Sequence, residues 1–343
     1  MKKIIHLIPY NGIGGVESAA NTMKDIISND FEFQLLYIFE TQPKKKNYLN
    51  YLNYLNYLNF YRLFLCLTKL LSHKPDLLVV SLWRSCIPGI IYKIIRPKTK
   101  VVLFLHYPKH YHFVDMIFTK LMSFLCDYVW ADSKDTLNSR LPNFSKKNSY
   151  IISFVARRFH TPDENLVKPN FVFWGRLHEQ KYVQRAIEIF SVVHSHYENA
   201  KFKIIGPDGG EMSDLKNLVE SKNLSKSVIF LGPQDIESII NLSKDASFYL
   251  QTSKLEGMAM SVVEAMQLGL VPVVTPVGEI KNYCEDLKNS LLITDDKSAI
   301  TNVISLIEDN ISYNLMRDNA IKKWENYEIY SEAFINTSKK ILG

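Results

Sequence analysis

Two glutamates, Glu256 and Glu264, stand eight positions apart in a stretch of the chain that is otherwise nearly uncharged. The stretch has the pattern of a polar loop entering Gly257, an apolar helical run to Leu268 and a left-handed stop at Gly269. Glu256 is therefore predicted in the loop and Glu264 on the helix. Eight residues of helix rise about 12 Å, roughly the span from the sugar to the ribose of an extended nucleotide-sugar.

The loop before this predicted helix also offers backbone groups to an anion. Amide groups of the first turn, around residues 257–260, have no partner within the helix and would point at a diphosphate between the two glutamates. Two glutamates at this spacing also occur on ordinary surface helices, so the spacing alone does not establish a site. The apolar run and the segment 270–275, predicted as a buried strand, favour the functional interpretation.

The segment from Glu256 to Met266 closely resembles the donor motif of retaining glycosyltransferases of family 4. In that family the first glutamate faces the donor sugar and the second binds the ribose hydroxyls. The resemblance therefore implies that Glu256 orients a sugar and that Glu264 holds a ribose. It also implies donor contacts for residues between them, Gly257, Met258, Ala259 and Met260.

The residues that follow the predicted strand at 170–174 resemble a second motif of that family, a turn between a strand and a helix. There an Arg and a Lys grip the donor diphosphate, and Gly175, Arg176 and Lys181 occupy the matching positions. Charge grows on the diphosphate oxygens as the glycosidic bond breaks, so two cations from one loop suit the leaving group. As isolated residues they would be solvated surface charges. Gly206 matches a further glycine-rich turn, where the family binds base and ribose.

The first half of the chain begins with a strand, a glycine loop and a helix, which is typical of Rossmann-like halves. The loop lacks the GxGxxG spacing of dinucleotide-binding proteins, so NAD and FAD are discounted. In the resembled family, the glycine pair matched by Gly14 and Gly15 lets the loop approach the bound donor or acceptor. A tight turn that requires small residues is an equally good interpretation.

His106 falls at the carboxyl end of the predicted strand 100–106, where open α/β sheets place ligands. A histidine at this position of the resembled family lies beside the donor sugar and the acceptor, and the resemblance implies that role for His106. A histidine that merely ends a strand is the alternative. Ser133 follows the next predicted strand and is interpreted as a helix N-cap.

The length of 343 residues suits two domains rather than one core. The expected ranges are an acceptor-binding domain at 1–165, a nucleotide-sugar-binding domain at 166–325, and a helix at 326–343 that packs back on the first domain.

Residues 1–165 hold 22 Lys and Arg against 12 Asp and Glu, whereas residues 166–343 hold 19 Lys and Arg against 23 Asp and Glu. The basic half is expected to face an anionic partner. No nucleic-acid motif is present, which favours a membrane surface or a lipid diphosphate.

The 4 cysteines form no CxxC pair and the histidines do not cluster, which indicates buried thiols in a reducing cytoplasm rather than disulfides or zinc. The basic and apolar stretch at the N-terminus is too short for a signal peptide, and no apolar run approaches the length of a membrane span.

Residues 48–59 repeat Tyr-Leu-Asn four times. The repeat is expected either to lie on a membrane surface or to form an exposed insertion.

Together with the resemblance, these observations predict an α/β fold of two Rossmann-like domains facing a cleft, the GT-B arrangement. The expected protein is a retaining hexosyltransferase that uses a UDP- or GDP-sugar and a lipid-linked saccharide acceptor in O-antigen, capsule or lipopolysaccharide biosynthesis. Its expected catalytic residues are Glu256, His106, Arg176 and Lys181. It is expected to need no cofactor or metal ion, since no DxD-like dyad is placed convincingly. It is also expected to lie at the cytoplasmic face of the inner membrane. A nucleotide-sugar epimerase of the same architecture and a noncatalytic nucleotide-sugar-binding protein are the alternatives.

Overall fold

The computed structural model describes residues 1–12, 15–24, 26, 30–39, 57–142, 148–159 and 166–343, with the backbone alone at 57–59. By its contacts the chain divides into two units. Unit 1 comprises Met1–Arg157 and Glu328–Gly343, and unit 2 comprises Arg158–Tyr327. Gly14 and most of the Tyr-Leu-Asn repeat, at 48–56, lie outside the described residues.

Unit 1 contains a parallel sheet within the part of the chain that the structure describes. Its strands are β1 (Lys2–Tyr10), β2 (Phe31–Phe39), β3 (Leu77–Ser81), β4 (Lys100–Leu105), β5 (Tyr128–Ala131) and β6 (Ser149–Ile151). They lie in the order β2-β1-β3-β4-β5-β6. Every position of β3 is buried, as expected for a strand covered on both faces. The strand order reverses between β1 and β3, and doubly wound sheets bind ligands at the carboxyl ends beside such a switch point.

Helices connect these strands. They are α1 (Gly15–Asn21), α2 (Tyr57–His73), α3 (Trp83–Ile95), α4 (Phe113–Leu125) and α5 (Lys134–Arg140). α3 packs between α2 and α4, and inward side chains such as Cys66, Cys86 and Met122 join the strand residues in one core. Ser133 Oγ accepts a hydrogen bond from Thr136 N–H at the start of α5, so its interpretation as an N-cap is confirmed.

Unit 2 repeats the architecture with a different strand order. Its elements are β7 (Phe171–Trp174), α6 (Val183–His196), β8 (Phe202–Ile205), α7 (Met212–Ser221), β9 (Val228–Gly232), α8 (Ile236–Ser243), β10 (Phe248–Gln251), α9 (Met260–Gln267), β11 (Val271–Val274), α10 (Ile280–Tyr283), β12 (Leu291–Leu292), α11 (Asp296–Glu308) and α12 (Asn310–Trp324). The parallel strands lie in the order β12-β11-β10-β7-β8-β9. The switch point of this sheet therefore lies between β7 and β10.

The last helix, α13 (Tyr330–Leu342), belongs to unit 1. Tyr330 and Phe334 are fully buried there, and Tyr330 N–H donates to Val155 O at 2.7 Å. The Phe334 ring lies edge-on to Trp130, with the ring centroids 5.0 Å apart. The helix thus completes the core of unit 1. None of the described helices combines the length and the apolar character that crossing a lipid bilayer requires.

Candidate functional site

The loops that follow β7 and β10 meet at the switch point of unit 2, because the two strands are neighbours in the sheet. Lys254 N–H donates to Gln180 O at 2.9 Å, and Gln180 Nε2 donates back to Leu255 O at 2.8 Å. Thr252 Oγ1 donates to Tyr182 O at 2.7 Å. These bonds hold the two loops as one support for the side chains that they carry.

Glu256 lies in the loop after β10, where it is 5% exposed. Lys181 Nζ, from the loop after β7, lies 2.7 Å from Glu256 Oε1. Gln251 Nε2 donates to the same oxygen at 3.2 Å, while Ser261 Oγ donates to Gln251 Oε1 at 3.0 Å. The carboxylate is therefore held in place by a cation and by a buried amide. Such a pair costs desolvation energy, so its presence is weak evidence of a stabilising role.

Glu264 lies on α9, as predicted, and accepts a hydrogen bond of 2.9 Å from Trp174 Nε1 through Oε2. Trp174 is the last residue of β7, and its backbone O lies 3.1 Å from the hydroxyl of Tyr249 in β10. The indole therefore orients the carboxylate from the neighbouring strand. Glu256 and Glu264 are thus both anchored by side chains that follow or end β7.

The helix α9 begins at Met260, three residues later than the apolar pattern suggests. The delay arises because Ala259 has a left-handed backbone with φ 55°, which α-helical geometry does not allow. Tyr283 Oη donates to Met258 O at 2.8 Å and supports this irregular turn. Among the described residues, no acceptor is recorded for the backbone N–H groups of Gly257, Met258, Ala259 and Met260. Four unpaired amides at a helix start form a site suited to an anion.

Two glycines allow neighbouring loops to pass in close contact. A Cβ on Gly206, in the turn after β8, would lie 1.9 Å from the backbone O of Gly175. A Cβ on Gly278 would lie 2.2 Å from the backbone O of Glu256, and Gly278 also has φ 57°. A larger residue at Gly206 would push the turn after β8 away from the loop after β7, and one at Gly278 would push the loop after β11 away from the loop after β10. Gly206 therefore shapes the candidate site through its backbone, whether or not it contacts a ligand.

Arg176 follows Gly175 and is exposed, with no hydrogen bond or ion pair recorded among the described residues. Its Cγ lies 3.0 Å from where a Cβ on Gly209 would be, so the side chain crosses the turn after β8. The structure thus unites Lys181 and Glu256, and leaves Arg176 available at the edge of the same loop. The functional roles of these residues stay predictions.

In unit 1 the residue His106 follows β4 and meets two other polar side chains. Ser81 Oγ lies 2.8 Å from Nε2 of His106 and also 2.8 Å from Nε2 of His6. Burial lowers the pKa of His6 to about 3. Burial, followed by the nearby His6 and Arg140, lowers the pKa of His106 well below its ordinary value. Both imidazoles are therefore neutral at pH 7.

The loop after β4 is held by a buried ion pair. Arg140 Nη2 lies 2.9 Å from Asp115 Oδ1, and Arg140 Nη1 donates to Lys109 O at 2.9 Å. Asp115 also accepts from Tyr111 N–H at 2.9 Å. These contacts fix the path of the chain immediately after His106. Gly15, the other predicted residue of unit 1, is the first residue of α1.

No three His, Cys, Asp or Glu side chains of the described ranges lie together as metal ligands would. The four cysteines are free thiols, and Cys126 alone among them is not fully buried. Burial raises the pKa of Cys66, Cys126 and Cys284 to about 12, so these thiols are protonated at neutral pH.

Residues 155–323, which include every candidate residue of unit 2, match the family Glycosyl transferases group 1. The match covers just under half of the chain, and the predicted resemblance to glycosyltransferases is confirmed. An Escherichia coli UDP-Gal:alpha-D-GlcNAc-diphosphoundecaprenol alpha-1,3-galactosyltransferase is 29% identical over 170 residues, which are 47% of this chain and 42% of that protein. An uncharacterized glycosyltransferase of Methanocaldococcus jannaschii is 29% identical over 51% of this chain and 42% of its own length. These alignments span less than half of the relatives.

Solved structures match over nearly the whole chain. The Anabaena HepE structure in complex with UDP and glucose has a TM-score of 0.78 at 16% identity and covers 99% of this chain and 100% of that one. The lipopolysaccharide outer core galactosyltransferase WaaB has a TM-score of 0.68 at 16% identity, with 99% and 100% covered. At this identity the likeness concerns the fold. The predicted α/β fold class of GT-B glycosyltransferases is confirmed.

Three side chains of the site were not identified from the sequence. Trp174 and Gln251 each end a strand beside the switch point, and Tyr283 supports the start of α9. The sequence indicated a site role only for Trp174. It directly precedes Gly175, and the last residue of a central strand lies beside the loops that follow the strand.

Proposed function

We propose that this protein is a retaining glycosyltransferase that moves a hexosyl unit from a UDP- or GDP-sugar to a lipid-linked saccharide in O-antigen, capsule or lipopolysaccharide biosynthesis. The observation that carries the proposal is the arrangement at the switch point of unit 2. There the Glu256–Lys181 pair lies in the loops after β10 and β7, unpaired amides follow Glu256, and Glu264 on α9 accepts a hydrogen bond from the indole of Trp174. A sugar, a diphosphate and a ribose each find a suitable partner in that arrangement.

In the proposed complex, the amides of residues 257–260 bind the diphosphate, and Glu264 accepts hydrogen bonds from the ribose hydroxyls. Glu256 orients the donor sugar. The bond between the anomeric carbon and the diphosphate oxygen breaks with its electron pair left on that oxygen. The acceptor oxygen bonds to the carbon on the same face, and its hydroxyl proton passes to the departing diphosphate. Arg176 and Lys181 balance the charge that grows on the leaving oxygens. His106 positions the acceptor hydroxyl.

We propose that neither a metal ion nor a cofactor is needed. The support is the presence of two cationic side chains in the loop after β7, which can supply the charge that a divalent ion gives a leaving diphosphate in other enzymes. Lys181 is already directed at the buried carboxylate of Glu256, 2.7 Å away. Transfer in the presence of a chelator tests this point directly.

The outward faces of α3 and α4 in unit 1 carry exposed apolar side chains, which we name the apolar face. Its residues are Ile91, Ile94, Ile95, Phe113, Val114, Ile117, Leu121, Phe124 and Leu125. On α4 the residues 113, 117, 121 and 124 recur at helical spacing, so they line one side of that helix. Large exposed apolar patches mark interaction sites, and the half of the chain that carries this one has an excess of ten positive charges.

An anionic lipid bilayer fits this combination best, because it attracts basic residues and accepts apolar side chains. We therefore propose that the protein works peripherally at the cytoplasmic face of the inner membrane, where a lipid-linked acceptor would be reached. The E. coli relative, whose name specifies a diphosphoundecaprenol acceptor, supports a lipid-linked substrate.

The test is a transfer assay with purified protein, EDTA, a panel of UDP- and GDP-sugars and a synthetic lipid diphosphate-linked sugar. Nucleoside diphosphate release and product mass are followed together, and the anomeric configuration of the product is read by NMR. Transfer with retained configuration, lost in Glu256→Ala and Arg176→Ala, is expected. Conversion of the donor into an isomer without an acceptor product would favour an epimerase, and donor binding without any turnover would favour the noncatalytic alternative.

A further inference from the structure

Two histidines of unit 1 share a single hydroxyl group. Ser81 Oγ lies 2.8 Å from Nε2 of His6 and 2.8 Å from Nε2 of His106. His6 belongs to β1, Ser81 ends β3 and His106 follows β4, so neighbouring strands bring the three side chains together. They lie beside the β1/β3 switch point, the expected ligand position of this sheet.

The hydroxyl of Ser81 carries one proton, and this restricts both rings. It can donate to one Nε2 while the other ring donates its own Nε2–H to Ser81 Oγ, or its two lone pairs can accept Nε2–H from both rings. A neutral imidazole carries its proton on either Nδ1 or Nε2. If both short contacts are hydrogen bonds, at least one ring is therefore the Nε2–H tautomer, and two Nδ1–H rings are excluded.

Among the described residues, Ser81 is the hydrogen-bond partner of both rings. Both Nδ1 atoms are buried, and neither has a hydrogen-bond partner among the described residues. The rings are otherwise surrounded by aromatic side chains. His6 lies 5.8 Å from Phe334, and His106 lies 4.2 Å from Phe104 and 5.1 Å from Phe154, measured between ring centroids. Ser81 is thus the polar contact that sets the orientation of each ring.

The three side chains differ in their access to a ligand. His6 and Ser81 are fully buried, whereas His106 is partly exposed. A ligand can therefore meet exposed atoms of His106, which do not include the buried Nδ1, and cannot reach the other two side chains. His6 and Ser81 act through His106 or have no part in the reaction.

We propose that Ser81 and His6 are positioning residues that hold His106 in one tautomer and one ring orientation. The proposal rests on the proposed function insofar as His106 contacts the substrate. It concerns the state of the rings in the free protein, which can be measured without turnover.

The first test is long-range proton–nitrogen NMR of protein labelled with ¹⁵N-histidine at pH 7. Spectra of His6→Gln and His106→Gln assign the two rings. We expect two neutral rings, at least one of them protonated at Nε2, with His106 in a single tautomer. Two rings protonated at Nδ1, a doubly protonated ring, or exchange of His106 between both tautomers would overturn the proposal. Because this readout does not depend on activity, it is separate from any failure of the proposed function.

The second test compares turnover among variants in the transfer assay. Ser81→Ala and His6→Leu should lower kcat about tenfold or more with little change in the donor KM, because a misplaced ring costs reactive geometry rather than donor binding. His6→Gln should recover most of kcat, since its amide can donate to or accept from Ser81 Oγ. If His6→Gln is as impaired as His6→Leu, the hydrogen bond is not what matters and the proposal fails.

Ser85→Ala is the matched control. Ser85 is also a fully buried serine of unit 1, and its Oγ has no hydrogen-bond partner among the described residues. Its loss should leave kcat unchanged. An equal loss of kcat in Ser85→Ala and Ser81→Ala would show that any buried serine of this unit has the same effect, and would contradict a specific role for Ser81.

Discussion

The two units share one architecture and place opposite chemistry at their switch points. In unit 2 the ends of β7 and β10 carry the Glu256–Lys181 pair, with unpaired amides beside it. In unit 1 the ends of β3 and β4 carry Ser81 and His106, a neutral contact enclosed by aromatic rings. A doubly wound sheet therefore fixes where a ligand binds, and the residues at the strand ends decide which ligand it is.

The outer surfaces differ as well. Residues 1–165 carry a net charge of +10 and residues 166–343 a net charge of −4. The apolar face on α3 and α4 contains nine large exposed apolar side chains. In the described part of unit 2 such side chains are fewer, and two of them, Ile311 and Leu315, lie four positions apart on α12. The difference agrees with the proposal that unit 2 serves a small anionic ligand and that unit 1 serves an extended apolar and anionic surface.

The largest effect is expected from breaking the ion pair of unit 2. Lys181→Met should lower transfer roughly 10²–10³-fold, because the leaving diphosphate loses a cation. It should also lower the free energy of unfolding by roughly 2 kcal/mol, because Glu256 is left buried without its partner. Enzyme assays and urea unfolding measure the two effects.

The double variant Lys181→Met/Glu256→Gln separates these effects. Replacing both partners removes the uncompensated charge, so stability should return while activity does not. Recovery of activity in the double variant would mean that the pair has a structural role only, and that the charged chemistry assigned to unit 2 is wrong.

The apolar face of unit 1 should give the next largest effect. Leu121→Glu and Phe124→Glu should each weaken binding to vesicles containing anionic lipid about tenfold, since burial of one such side chain contributes about 1.5–3 kcal/mol. Vesicle sedimentation measures binding. Leu315→Glu, which adds the same charge on unit 2, should change vesicle binding much less, and equal losses would contradict the contrast between the units.

A smaller effect is expected at Trp174. Trp174→Phe keeps an aromatic ring and removes the N–H group that donates to Glu264, 2.9 Å away. Loss of one such hydrogen bond should weaken donor binding about 3- to 10-fold. Calorimetry measures the change, and Trp130→Phe in unit 1 is the control, because it lies in the other unit and should leave donor affinity unaltered.

The last effect concerns the pH dependence of stability and arises from the neutral histidines of unit 1. His6 has a pKa of about 3 in the folded protein, below the value of about 6.5 expected for the unfolded chain. Below pH 6.5 the unfolded state binds a proton on His6 that the folded state does not bind. The free energy of unfolding therefore falls as the pH falls below 6.5. Between pH 6.5 and 5, the free energy of unfolding should fall about 1.5 kcal/mol more in the wild type than in His6→Gln. Equal slopes in urea unfolding would show that His6 is not held neutral.

Local patterns were sufficient to place the main elements of unit 2. The glutamate spacing and the glycine stop put Glu256 in a loop and Glu264 on a helix, and the structure has both there. The start of α9 was missed because the left-handed conformation of Ala259 depends on Tyr283, 24 positions away, whose hydroxyl holds the turn. An apolar pattern carries no information about such a contact.

The partners of the site residues could not be derived from local sequence either. Lys181 and Glu256 are 75 positions apart, and Trp174 and Glu264 are 90 apart. The contact of His6 with Ser81 spans 75 positions. These pairs exist because parallel strands return to the same edge of the sheet, so they require the strand order, which the periodicity of a single segment does not specify.

The central claim is that unit 2 binds a nucleotide-sugar between Glu256 and Glu264. Calorimetric titration of UDP- and GDP-sugars into the wild type and into Glu264→Gln tests it most directly. We expect one site per chain for one class of donor, with an affinity at least tenfold weaker in Glu264→Gln, because the amide is a poorer partner for the ribose hydroxyls. No binding of any nucleotide-sugar, or equal affinity in the two proteins, would contradict the claim.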